Sequence, residues 1–99
     1  MMAFRNNRDL FVFIEELLEF LRSIRKDDLA DQLQHANRFI SGSASEFLNE
    51  AHLALRNVLS FRPEALSAER EDEIHYAIRQ IDDAFRTTGG ADGFDGALL

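Results

Sequence analysis

The chain carries a single proline, Pro63, and its five glycines stand at Gly42, Gly89, Gly90, Gly93 and Gly96. Proline removes a backbone donor and glycine loosens the backbone, so these residues are the ones that interrupt helices. Their placement leaves three long uninterrupted stretches. Stretches of that kind favour helices over short strands joined by turns.

The apolar pattern points the same way. Leu10, Ile14, Leu17, Leu21 and Ile24 recur at spacings of 4, 3, 4 and 3, with Phe11 and Leu18 on one flank and Phe13 and Phe20 on the other. This predicts a first helix from about residue 8 to about residue 25, apolar over roughly half its circumference. Asp27 and Asp28 are suited to cap a second helix, because a carboxylate accepts a bond from an unpaired first-turn amide. Its stripe is Leu29, Leu33, Ala36, Phe39 and Ile40, and Ser41-Gly42 is the expected stop, with glycine left-handed.

Ser43 and Glu46 then form the S-x-x-E pattern of a capping box. The third helix carries Phe47, Ala51, Ala54, Leu55 and Val58, widened by Leu48, Leu59 and Phe61, while Leu53 points the other way. Pro63 ends it by driving Arg62 out of helical geometry. Ser67 caps a fourth helix with Ile74, Ala77, Ile78, Ile81 and Phe85 as its stripe, closed by Thr87, Thr88 and two glycines. Residues 91–99 alternate Gly, Asp and Ala around Phe94 without periodicity, which predicts a disordered C-terminal tail behind a single helical domain over 1–90. The expected fold is all-α, a compact antiparallel four-helix bundle, with two stacked helical hairpins as the alternative. The hairpins share no residue signature, so a solenoid is not expected.

Charge narrows the function. With 11 Lys and Arg against 18 Asp and Glu, the net charge is −7. Such a chain repels phosphate backbones unless its basic residues are segregated, so nucleic-acid binding is not expected. There is no cysteine, which removes disulfides, thiolate zinc sites and thiol catalysis and fits a cytoplasmic protein. The longest apolar run, from Leu10 to Ile14, is too short to cross a bilayer, and no membrane partner is expected. Residues 64–99 hold three basic and nine acidic side chains, and Glu69, Glu71, Asp72 and Glu73 crowd the start of the fourth helix. Negative charge there complements the helix dipole and also offers a surface to a basic partner.

The three histidines, His35, His52 and His75, fall on three different helices. Asp72 and Glu71 stand three and four residues before His75, but a di-iron bundle needs the Glu-x-x-His pair twice, and Asn49 and Gln32 stand where the other helices would need glutamate. No metal is expected. No glycine-rich phosphate cradle precedes a helix, so no nucleotide cofactor is expected either.

Arg70 and His75 form an R-x4-H pattern near the start of the last helix. The pattern is similar to the motif of HEPN-type ribonucleases, metal-independent RNA-cleaving helical domains. That resemblance implies Arg70 steadying a phosphate and His75 moving a proton at the 2′-hydroxyl. The four carboxylates around the pair are unlike an RNA-cleaving groove.

The reading favoured from sequence is a non-enzymatic protein-binding module. It would neutralise or regulate a basic protein partner, in the manner of an immunity protein, antitoxin or regulatory subunit. Its expected contact residues are Glu69, Asp72 and Glu73 together with the aromatic flanks Phe11, Phe13 and Phe20. The alternatives are the ribonuclease and a structural homodimer built on the first helix, whose flanks otherwise pack on helices 2 and 4 of the same chain.

Overall fold

A computed structural model describes residues 6–87. It contains α1 (Asn7–Ser23), α2 (Asp27–Asn37), α3 (Ala44–Phe61) and α4 (Ala68–Thr87), joined by connections of three to six residues. Connections this short return each helix antiparallel to the one before, and consecutive helices pack against each other as a four-helix bundle. The expected tail over 91–99 lies outside the described residues.

The periodic stripes meet in one core. Leu10, Ile14, Leu17 and Leu21 of α1, Leu33 of α2, Phe47, Leu48, Leu55 and Val58 of α3, and Ile74 and Ile81 of α4 are fully buried. Alanines at positions 30, 36, 51 and 77 are buried between them, where a small side chain lets neighbouring helices approach. Phe61 departs from its expected place on the α3 stripe: it is 73% exposed. By helical spacing it stands at the margin of the buried arc of α3, about 60° from Val58.

The helix ends differ from the sequence expectation in instructive ways. Asn6 caps α1, its side-chain oxygen accepting from the Asp9 amide at 3.0 Å. After Ser23 the chain closes α1 with Lys26 N–H donating to the Leu21 carbonyl at 2.8 Å and Arg25 N–H to Arg22 at 3.0 Å. This is a Schellman closure, with Arg25 at φ 64° in the left-handed position usually given to glycine. Because the closure ends at Lys26, Asp27 and Asp28 fall inside the first turn of α2 and are not its cap; Lys26 is, without a side-chain bond. α2 also stops at Asn37, short of Ser41-Gly42. Residues 38–41 continue as tight turns whose amides reach back three residues, to Ala36 from Phe39 and to Asn37 from Ile40. Gly42 is not left-handed, and only the Phe39 carbonyl, at 3.7 Å, would meet a β-carbon there.

Ser43 caps α3 as expected, accepting from the Glu46 amide at 3.4 Å. The return bond of a capping box is not made among the described residues; the Ser43 hydroxyl bonds that of Ser45 at 2.8 Å. Arg62 ends α3 at φ 48°, and Ser67 caps α4 by accepting from the Arg70 amide at 3.1 Å.

Candidate functional site

α1 and α4 meet at the end of the bundle where α1 finishes and α4 begins. Ser67 fixes the start of α4, and one turn later the Arg70 guanidinium lies over the Phe20 ring, 4.3 Å from its centroid. A cation at that distance is attracted by the negative face of the ring. The contact joins two features that sequence treats separately, the aromatic flank of α1 and the acidic start of α4.

Around it stand the carboxylates. Glu71 is taken up by Arg62, whose Nε and Nη2 donate to its two oxygens at 3.0 and 3.4 Å. Glu69, Asp72 and Glu73 have no ion-pair partner among the described residues, Glu69 and Asp72 being exposed and Glu73 partly so. Helical spacing puts Glu69 and Glu73 beside Arg70 on the α1 side of α4, and Asp72 on its outer side. The result is a half-buried aromatic edge flanked by Glu69 and Glu73, with Asp72 farther out, none of the three in an ion pair among the described residues.

The other aromatic candidates are placed elsewhere. Phe13 is 4% exposed and belongs to the core. Phe11 lies on the α2 flank, half-buried, with the Arg8 guanidinium 5.7 Å from its ring. Beside it Asn37 fastens α2 to α1, donating to the Phe11 carbonyl at 3.2 Å and to the Glu15 carboxylate at 2.9 Å, while its own oxygen is buried and unpartnered. Phe20 alone of the three joins the acidic residues.

Arg70 and His75 both lie inside α4. Five residues apart on one helix, their side chains leave it about 140° apart around the axis and about 7.5 Å apart along it. Arg70 is engaged by Phe20, and His75 is exposed.

The remaining histidines tie helices together. His52 Nε2 lies 2.8 Å from the Asp82 carboxylate between α3 and α4, and His35 Nε2 lies 3.7 Å from Glu50 between α2 and α3. No group of three or more potential ligands able to hold a metal ion occurs among the described residues. No helix there is long and apolar enough to cross a membrane.

Two surface features lie outside the sequence-derived site. Phe61 is one, a stripe residue by its spacing. Leu53 is the other, 57% exposed in the middle of α3; its position opposite the core stripe is the signal that identifies it. The chain matches no protein-family model, no curated protein and no solved structure, so its functional reading rests on its own geometry.

Proposed function

We propose that the protein is a protein-binding module whose α1–α4 edge takes a basic surface of its partner, in the manner of an immunity protein, antitoxin or regulatory subunit. The supporting observation is the trio Glu69, Asp72 and Glu73, none of them in an ion pair among the described residues, with Glu69 and Glu73 beside the Phe20–Arg70 contact and Asp72 on the outer side of α4. Unpaired carboxylates steer a cationic partner from a distance, and the half-buried aromatic supplies apolar contact once it arrives. The Arg70–Phe20 contact ties the start of α4 to the end of α1, which favours an edge organised before binding. The proposed setting is cytoplasmic.

The test compares capture of basic proteins by the full chain and by the variant carrying Glu69→Gln, Asp72→Asn and Glu73→Gln, at low and high ionic strength. Capture by the native chain should fall with salt, and the variant should bind more weakly with a flatter salt response. Capture indifferent to the three substitutions would remove the edge from the interaction.

A further inference from the structure

The outer face of α3 has a form unlike the rest of the surface. Leu53 is a raised apolar side chain between two shallow grooves that share it and Asn57. One groove, of about 340 Å³, opens toward α2 and is bounded by Gln32, His35 and Glu50. The other, of about 400 Å³, runs along α3 itself past Asn49, His52, Arg56 and Ser60. A ridge lying beside a groove is a shape that can be complementary to itself, because helices pack by seating the ridges of one in the grooves of the other.

The charges on this face are arranged with the same property. Glu46 and Arg56 are both exposed, and neither has an ion-pair partner among the described residues. They stand ten residues apart, about 80° from each other around the helix and on either side of Leu53, with residue 51 midway between them along the axis. If two α3 helices pack antiparallel about that midpoint, Glu46 of each copy comes level with Arg56 of the other, within reach of these long side chains across the seam, so the pair forms twice. Leu53 then sits about 3 Å along the helix from the dyad. Each Leu53 meets the partner's Asn49, at the edge of the second groove. Antiparallel alignment also opposes the two helix dipoles.

We propose that the α3 face is the contact of a two-fold homodimer, with Leu53 as its apolar centre and Glu46 and Arg56 setting its register. The contact is isologous, so a single apolar side chain counts twice. It lies on a different surface from the α1–α4 edge and stands or falls independently of the partner proposed there.

The test is sedimentation equilibrium of the full chain over a concentration series, with circular dichroism melts run alongside. The native chain should dimerise with concentration. Leu53→Asp should weaken association by about tenfold or more without lowering the melting temperature, because the side chain is exposed in the monomer. Glu46→Arg and Arg56→Glu should each weaken association, and the two together in one chain should restore it, because both ion pairs are then rebuilt with reversed sign. A native chain that stays monomeric at every concentration overturns the proposal. So does a dimer that ignores Leu53→Asp, or a double charge reversal no better than either single change.

Discussion

Two arginines occupy backbone positions that favour glycine. Arg25 and Arg62 both have positive φ at helix ends, where a β-carbon crowds the backbone. Their consequences differ because their side chains do. Arg25 is exposed and its side chain makes no hydrogen bond or ion pair among the described residues, so Arg25→Gly should relieve the crowding and raise stability by about 0.5–1 kcal/mol in urea unfolding. Arg62 holds Glu71 through two bonds. The same relief at Arg62→Gly should therefore be offset by the lost tie between α3 and α4, and its net gain should be smaller than at Arg25. Arg70 offers a third test: Arg70→Gln removes the contact with Phe20 and should cost about 0.5–1 kcal/mol. A phosphate-binding arginine with no intramolecular partner would leave stability unchanged.

Helix bodies were readable from the sequence because 3.6-residue periodicity is imposed by the core: Leu10, Ile14, Leu17 and Leu21 of α1 and Ile74, Ala77 and Ile81 of α4 are buried as their spacing requires, with Ile78 and Phe85 partly buried at the margin. Helix ends were less readable because several solutions compete there. Asp27 and Asp28 are good caps by residue type, but the closure of α1 through Lys26 decides where α2 begins. Gly42 looked like the left-handed stop of α2, whereas Arg25 and Arg62 take that conformation. Phe61 continued the α3 stripe in sequence but sits at the margin of the helix's buried arc and is exposed. Of the candidate site, the acidic residues were visible as a charge run, but their meeting with Phe20 depends on how α1 and α4 are packed, which periodicity does not specify. The cap at Ser43 gives an element-scale prediction. With its bond at 3.4 Å and no return bond from Glu46, Ser43→Ala should cost only about 0.5–1 kcal/mol, at the low end for such caps. Equilibrium unfolding with far-ultraviolet circular dichroism checks both the loss and the unchanged helix content of the folded state.

For the whole molecule, the proposed role of the bundle is to hold a charged edge in place for a partner. Arg70 and His75 diverge on α4, so the purified chain should leave a fluorescent RNA intact, and His75→Ala should change nothing in that assay. Cleavage without metal that His75→Ala abolishes would favour the ribonuclease reading over the binding one. The most direct test of the binding account is a titration of the isotope-labelled chain with an arginine- and lysine-rich peptide, followed by amide chemical shifts. The account predicts shifts concentrated at residues 16–20 and 69–76, weakened by added salt and lost when Glu69, Asp72 and Glu73 are neutralised together. Shifts scattered over the whole surface, or the same shifts in the neutralised variant, would contradict it.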